Sequence, residues 1–244
     1  MQALILAAGM GSRLRSVSRG QPKCLLEIAG QSIIRWQLTA LRSAGINDVT
    51  VVAGYGADEI QAALRGTSIK VVRNSRYRET NVLTSWTLGS AIIYADHVFL
   101  HGDTIFEPAL LERLLEKSTG DIVVTVDRHG CGEEEMKVLV DGDRVTRVSK
   151  DLPPATAFGE FTGVLLVRQT ILSDLRAVAE RLLLTENGPR LFFEAAVEEI
   201  IRMYPDTVRW VDVTGLRWRE IDFPEDAAAA EAMFAHATSP RGAK

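Results

Sequence analysis

The chain has 244 residues, of which 46% are hydrophobic and 25% charged, and its formal net charge is −4. This length suits one domain with a sizeable core, and the acidic balance argues against a dedicated nucleic-acid-binding protein. The two cysteines are too few for a disulfide framework, and no apolar run reaches the roughly 18 residues of a membrane span. No secretory leader opens the sequence, so we expect a cytoplasmic protein with one domain over residues 1–238 and a disordered tail over 239–244.

The first predicted element is a buried strand over residues 3–6, and a glycine-rich turn follows it directly. Gly9 and Gly11 let the backbone turn tightly and approach a ligand closely. Successive exposed N–H groups in such a turn form a concavity for phosphate oxygens, and Arg13 and Lys23 add two cations beside it. The turn matches neither the P-loop nor the dinucleotide fingerprint, because a lysine after Gly11 and a third glycine are both missing. We interpret it as a triphosphate site, with a surface turn carrying two solvated cations as the alternative.

Strand and helix patterns alternate through the first half of the chain. Short apolar runs predict strands over residues 49–53, 69–72, 97–100 and 122–126. Amphipathic or capped segments predict helices over residues 32–44, 57–64, 84–94 and 108–116. This order predicts a mostly parallel sheet with helices on both faces, and therefore a three-layer α/β fold whose ligands bind beyond the carboxyl ends of the strands.

The second half of the chain changes character. Two strand patterns around an Asp-Gly-Asp turn predict a β-hairpin over residues 136–149. Further strands are predicted over residues 160–167, 208–213 and 218–221, and helices over residues 170–184, 191–204 and 224–237. We expect a small β insertion from these segments to form a lid over one side of the ligand-binding edge.

Two aspartates close predicted strands at positions where ligands are expected. Asp103 follows a glycine at the end of one strand, and Asp222 ends another strand just before a helix. Both positions suit Mg²⁺, which binds one or two protein carboxylates together with phosphate oxygens. Asp222 also has the position of a helix N-cap, and spacing alone leaves its two roles open.

The segment from Leu6 to Lys23 resembles the signature of the nucleotidyltransferases that join a nucleoside triphosphate to a phosphorylated small molecule. That signature is L-A-A-G-x-G-[ST]-R-[LM] followed by P-K, and every fixed position is filled here. The resemblance implies a Rossmann-like αβα fold, Mg²⁺ held by Asp103 and Asp222, and catalytic roles for Arg13 and Lys23. The residues that it implies for nucleotide binding are Leu6, Ala7, Ala8, Gly9, Gly11, Ser12, Arg13 and Lys23.

The base and acceptor sides resemble one branch of this family, the phosphocholine and 2-aminoethylphosphonate cytidylyltransferases. There, Asn81, Thr84 and Ser85 would contact the pyrimidine edge, with capping of the following helix as the alternative for Asn81. Lys150 would bind the acceptor phosphate or phosphonate, and Glu160 an ammonium group. Solvated hairpin charges are the alternative for both.

The resemblance as a whole implies a Mg²⁺-dependent cytidylyltransferase that transfers CMP from CTP to a small phospho-alcohol or phosphonate, with the β insertion on the acceptor side. The alternatives are a sugar-1-phosphate nucleotidyltransferase that uses UTP or dTTP, and a non-catalytic regulatory module that binds a nucleotide. The expected partners are CTP and a small anionic phospho-acceptor, with no nucleic acid and no membrane. A homodimer is a candidate assembly.

Overall fold

A computed structural model describes residues 1–235, so the predicted tail over 239–244 and the end of the predicted domain lie outside the described residues. The strands, in chain order, are β1 Gln2–Ala7, β2 Glu27–Ile28, β3 Gln31–Ser32, β4 Asp48–Ala53, β5 Lys70–Arg73, β6 His97–His101, β7 Thr104–Phe106, β8 Ile122–Asp127, β9 Lys137–Asp141, β10 Arg144–Ser149, β11 Gly159–Val167, β12 Val208–Asp212 and β13 Trp218–Glu220. The helices are α1 Arg15–Ser18, α2 Ile33–Ser43, α3 Ala57–Ala63, α4 Val82–Ser90, α5 Pro108–Lys117, α6 Gln169–Leu183, α7 Glu194–Met203 and α8 Pro224–Phe234. None of these described helices is long and apolar enough to cross a bilayer.

The central sheet is parallel in its first half and mixed in its second. Strands β5, β4, β1 and β6 are successive parallel neighbours. Strand β11 then lies antiparallel between β6 and β8, and β12 runs parallel to β8. The βαβ alternation therefore predicts the first half correctly, whereas β11 reverses direction because the chain returns to the sheet centre after the hairpin.

Alternate side chains of β1 enter two different hydrophobic cores. Leu4 and Leu6 pack in the core under α4, α6 and α7, whereas Ala3 and Ile5 pack against α2, α3 and α5. Every residue of β1 is buried, as expected for a central strand that is covered on both faces. The two cores separate three layers, which is the predicted three-layer α/β architecture.

Two further pairings bring late segments of the chain to the carboxyl edge of the sheet. The predicted hairpin is confirmed as β9–β10, and β9 also pairs with the start of β11. Strands β7 and β13 form a separate antiparallel ribbon that packs with α8 through a third core, which includes Trp36, Ile105 and Phe234. The ribbon places the residues that follow β13 beside the end of β6.

Candidate active site

Two adjoining cavities lie at the carboxyl ends of β1 and β6. The glycine-loop cavity, of about 450 Å³, is lined by the start of the glycine turn, the N-terminus of α4 and the residues after β6. The acidic cavity, of about 540 Å³, is lined by the end of β8, the loop before β9 and the segment after β13. Glu134, Glu220 and Asp222 line both. Two reactants bound in these cavities would therefore meet at shared carboxylates.

The glycine turn presents backbone donors to the first cavity. In the described part of the chain, the N–H groups of residues 9–11 have no hydrogen-bond acceptor. Gly11 has a φ of +54°, and a Cβ there would lie 3.3 Å from the Cβ of Lys23, so glycine suits this position on both counts. Ala7, the last residue of β1, and Gly11 and Ser12 in the turn do not line the cavity. Unused N–H groups in such a turn suit phosphate oxygens.

Arg13 extends from the same turn into solvent, with 54% of its side chain exposed. Its Cζ lies 4.9 Å from the ring centroid of Phe223, and its Nη1 lies 3.6 Å from Oε2 of Glu134. An ion pair between exposed side chains contributes little. The guanidinium is therefore available to an anion that enters the glycine-loop cavity.

Lys23 joins the two predicted metal-binding aspartates. Its Nζ lies 2.9 Å from Oδ2 of Asp103 and 2.5 Å from Oδ1 of Asp222, and 13% of its side chain is exposed. Burial opposes the charge, but the attraction of both carboxylates outweighs it and raises the pKa of Lys23 above its ordinary value. Lys23 is thus a permanent cation behind the boundary of the two cavities, although it does not itself line them.

The capping role that was open for Asp222 is taken by Asp226. Oδ2 of Asp226 accepts the N–H groups of Asp222 at 3.1 Å and of Phe223 at 2.9 Å, where α8 begins. The β7–β13 ribbon sets the register here, since the N–H of Ile221 donates to the carbonyl of Asp103 at 3.0 Å. The carboxylate of Asp222 is therefore left to the lysine and to the cavities.

A histidine and a glutamate complete the charged group at the boundary. His101, Asp103 and Glu220 offer possible ligand atoms that all lie within 4.8 Å of one another. Burial, together with the charges of Asp103 and Asp222, raises the pKa of Glu220 to about 8. Burial would lower the pKa of His101, but its contact with Glu194 outweighs this and raises it to about 9. The boundary of the two cavities thus groups three acidic side chains, Asp103, Glu220 and Asp222, with the basic side chains of Lys23 and His101.

The start of α4 forms another wall of the glycine-loop cavity. Asn81 caps this helix, because its Oδ1 accepts the N–H of Val82 at 2.9 Å, and it lines the cavity as well. Ser85 is 4% exposed and also lines the cavity. Thr84 does not line it, so the structure brings together two of the three residues predicted to contact a base.

Asn74, which the sequence patterns do not single out, lies against Ser85 in the same wall and is 2% exposed. Its Nδ2 donates to Oγ of Ser85 at 3.0 Å and to Oγ1 of Thr80 at 3.1 Å. Its Oδ1 accepts the N–H of Arg76 at 3.0 Å. The position itself is the signal that could have found it: Asn74 directly follows β5, at the edge where parallel strands present ligand-binding residues.

The two residues predicted to bind the acceptor lie in different cavities. Lys150 lines the glycine-loop cavity, with its Nζ 5.7 Å from the ring centroid of Phe192. Glu160 lines the acidic cavity, and its Oε2 lies 2.9 Å from Nε2 of His129. Burial raises the pKa of Glu160 to about 7, with Glu135 adding to the shift and His129 opposing it. Lys150 and Glu160 therefore do not form one binding group.

Lys137 holds the loop that carries two glutamates of the acidic cavity. It is fully buried, and its Nζ donates to the carbonyls of Gly132, Glu133 and Glu135 at 3.1, 2.9 and 3.1 Å. A buried ammonium is tolerated only when its donors are satisfied, so these contacts determine the path of the loop. Nothing in the sequence marks this role, because a lysine at a strand start is typical of a solvated charge.

Comparisons with known proteins place the chain in a family. Residues 3–199 match the family described as the MobA-like NTP transferase domain. A CTP:phosphoglutamine cytidylyltransferase of Campylobacter jejuni is 26% identical over 249 residues, which cover 93% of this chain and 97% of that protein. A CMP-5'-(3-aminopropyl)phosphonate synthase of Streptomyces rubellomurinus is 31% identical over 245 residues, which cover 96% of this chain and 39% of that protein.

Among solved structures, the inositol-1-phosphate CTP transferase from T. maritima superposes with a TM-score of 0.82 at 22% identity, covering 96% of this chain and 95% of that one. Likeness at this identity concerns the fold alone, and it confirms the predicted Rossmann-like αβα architecture. The family match includes the glycine turn, Lys23 and Asp103. The chain therefore belongs to the MobA-like NTP transferase family and is a nucleotidyltransferase.

Proposed function

We propose that this protein is a Mg²⁺-dependent cytidylyltransferase that transfers CMP from CTP to a small phospho-alcohol or phosphonate and releases pyrophosphate. The observation that carries the proposal is the meeting of two cavities at Glu220 and Asp222. Transfer between two anionic substrates requires that both be held in line while charge at the reacting phosphorus is neutralised. The choice of CTP is supported by the relatives, whose names specify cytidylyl transfer to phosphoglutamine and CMP attached to an aminopropylphosphonate.

The carboxylates at the boundary fit a magnesium ion. Asp103 and Asp222 would hold it, and Glu220 is a third oxygen donor within reach of Asp103. The chemistry of the donor set is the observation that tests the fit, because ligand atoms of His101, Asp103 and Glu220 lie within 4.8 Å of one another and two of them are the carboxylate oxygens that Mg²⁺ prefers. When bound, the ion supplies charge neutralisation at the α-phosphate and the attacking oxygen.

The chain's own residues bind and orient the triphosphate. The free N–H groups of the glycine turn receive phosphate oxygens, and Arg13 exchanges Glu134 for the β- and γ-phosphates. Lys23 stabilises charge at the α-phosphate from its place between the two aspartates. An acceptor oxygen forms the new bond to the α-phosphorus while the bond to the bridging oxygen breaks, and pyrophosphate leaves with that electron pair.

The acidic cavity favours an acceptor with an ammonium group. Seven acidic residues line it against one arginine and one histidine, and these two are already paired, Arg219 with Asp226 at 3.0 Å and His129 with Glu160 at 2.9 Å. An uncompensated group of carboxylates in a partly closed cavity attracts a cation. We assign Glu160 to this ammonium group, and Lys150, which lies in the neighbouring cavity, to a phosphate oxygen.

Pyrophosphate release in the presence of Mg²⁺ tests the proposal. CTP, UTP, dTTP, ATP and GTP are each combined with 2-aminoethylphosphonate, phosphocholine, phosphoethanolamine, glycerol phosphate, inositol phosphate and glucose 1-phosphate. We expect release with CTP and an amino-bearing acceptor. Release with UTP or dTTP and glucose 1-phosphate would instead show a sugar-1-phosphate nucleotidyltransferase and contradict the proposal.

A further inference from the structure

The orientation of the Asn74 side chain is determined by the backbone beside it. Its Oδ1 accepts the N–H of Arg76 at 3.0 Å, so its Nδ2 is the end that faces Ser85 and Thr80. An amide nitrogen has two hydrogens and no acceptor capacity. Asn74 is therefore the donor in both contacts, because a flipped amide would lose the bond from the N–H of Arg76 and turn its own N–H groups toward that donor.

The two hydroxyls that receive these bonds differ in what they do with their own protons. Thr80 donates its proton to the carbonyl of Arg76 at 2.9 Å. Within residues 1–235, the proton of Ser85 has no acceptor, and this nearly buried hydroxyl lies on the wall of the glycine-loop cavity. The N–H of Asn74 occupies one lone pair of Ser85, so the proton of Ser85 must point away from Asn74, and a ligand in the cavity has to accept this proton if it is not to stay unpaired.

We propose that Asn74 is a positioning residue for nucleotide selection: it holds Ser85 as a hydrogen-bond donor, which pairs with the unprotonated N3 of cytosine and not with the N3–H of uracil. The inference rests on the proposed cytidylyltransferase function, because it concerns the base of the same nucleotide. Cytosine presents an acceptor at N3 and uracil a donor, so the direction of one proton distinguishes the two. A donor at N3 leaves the nearly buried proton of Ser85 without an acceptor, and an unsatisfied buried donor costs more than one hydrogen bond contributes.

The variant Asn74→Asp reverses this direction with almost no change in shape. A carboxylate still accepts the N–H of Arg76, but its second oxygen can only accept, so it takes the proton of Ser85 and leaves the hydroxyl facing the cavity as an acceptor. We expect the ratio of kcat/KM for CTP to that for UTP to fall about tenfold or more. Ser85→Ala is expected to lower the same ratio.

Two further variants separate a positioning role from a structural one. In the Ser85→Ala background, Asn74→Asp is expected to cause no further change in the ratio, because Asn74 acts through Ser85. Thr80→Val removes the other acceptor of the same amide and leaves Ser85 in place, so the ratio is expected to stay within about twofold of the wild type. Thermal unfolding of each full-length variant shows that the fold is retained.

If folded Asn74→Asp has the wild-type ratio of kcat/KM for CTP to that for UTP, the inference is overturned. It is also overturned if Asn74→Asp lowers this ratio equally in the wild-type and Ser85→Ala backgrounds. In both cases a wild-type preference for CTP leaves the proposed function standing. If the wild-type enzyme prefers another nucleotide, the proposed function fails and the inference fails with it. If Asn74→Asp does not fold, Asn74→Ala is used in its place. This change lets the Ser85 hydroxyl rotate freely, so we expect a smaller fall in the CTP-to-UTP ratio. An unchanged ratio in Asn74→Ala would overturn the inference.

Discussion

The two cavities are built by different means although they share a wall. The glycine-loop cavity is formed by turns that directly follow β1, β5 and β6, and its contacts are directional hydrogen-bonding groups such as backbone N–H groups, Asn81 and Ser85. The acidic cavity is formed by segments of the second half of the chain, between residues 127 and 233. Most of its polar lining residues are charged. A cavity built on strand ends can select a ligand by hydrogen-bond direction, whereas one lined by carboxylates on a loop selects mainly by charge.

The largest expected effect comes from breaking the boundary that both cavities share. Asp222→Asn is expected to lower kcat about 10²- to 10³-fold with every acceptor, because the carboxylate lies against Lys23 and borders both cavities. Steady-state pyrophosphate release measures this. Glu225→Gln, an exposed change three residues away, is the matched control and should retain activity. A folded Asp222→Asn protein with normal turnover would contradict the site.

Arg13→Ala is expected to affect the glycine-loop cavity alone. The exposed guanidinium is proposed to bind the β- and γ-phosphates, so its loss should raise the KM for CTP about tenfold or more while the KM for the acceptor stays within about twofold. Both constants are measured by varying one substrate at a saturating concentration of the other. If the KM for the acceptor rises more than the KM for CTP, the assignment of Arg13 to the triphosphate in the glycine-loop cavity is contradicted.

Lys137→Met is expected to affect the acidic cavity more than the glycine-loop cavity, because Glu135 lines the acidic cavity and Glu134 lines both. The loss of three bonds to loop carbonyls should displace the glutamates of that loop and raise the KM for an amino-bearing acceptor about tenfold, with the KM for CTP nearly unchanged. Lys117→Met, at an exposed position, is the control. If Lys137→Met lowers only the melting temperature and leaves both constants intact, the lysine has a purely structural role.

The smallest effect concerns Glu160 and pH. Its folded-state pKa of about 7 lies above the ordinary value of 4.5, so its contribution to stability is fully present below pH 4.5 and is lost as pH rises through 7. At pH 8, Glu160→Gln should therefore raise stability by about 1 kcal/mol, or the melting temperature by about 3 °C. The same variant should raise the KM for an amino-bearing acceptor about fivefold. Thermal unfolding of Glu160→Gln and the wild type at pH 5 and pH 8 tests the effect on stability. An equal rise in melting temperature at both pH values would contradict it.

The sequence predicts the fold where strands are long and the pattern is periodic. β1, β4, β6 and β8 are strands of five or six residues, and each contains a mainly apolar stretch that predicts a buried strand. The β7–β13 ribbon and the β2–β3 pair consist of strands of two or three residues, and their order comes from tertiary pairing. Local patterns contain no information on such pairings, so the ribbon that delivers Asp222 to the site is visible only in the structure.

The candidate site divides in the same way. The glycine turn, Asp103 and Asp222 are recognisable because each belongs to a local motif. The sequence does not show that Lys23 lies between the two aspartates, because they are 80 and 199 residues away from it in the chain. Asn74 and Lys137 stand alone as ordinary polar residues, and their roles depend on partners that folding brings to them.

The way in which Lys137 holds its loop has a consequence for how this enzyme can change. The ammonium bonds main-chain oxygens, and within residues 133–135 the one side chain that also bonds the loop backbone is Glu135, whose Oε2 accepts the N–H of Gly132 at 2.8 Å. The path of the loop therefore does not depend on the side chains of Glu133 and Glu134. Substitutions at these two positions can change the charge at the rim of the cavity while Lys137, Glu135 and the rest of the fold are retained.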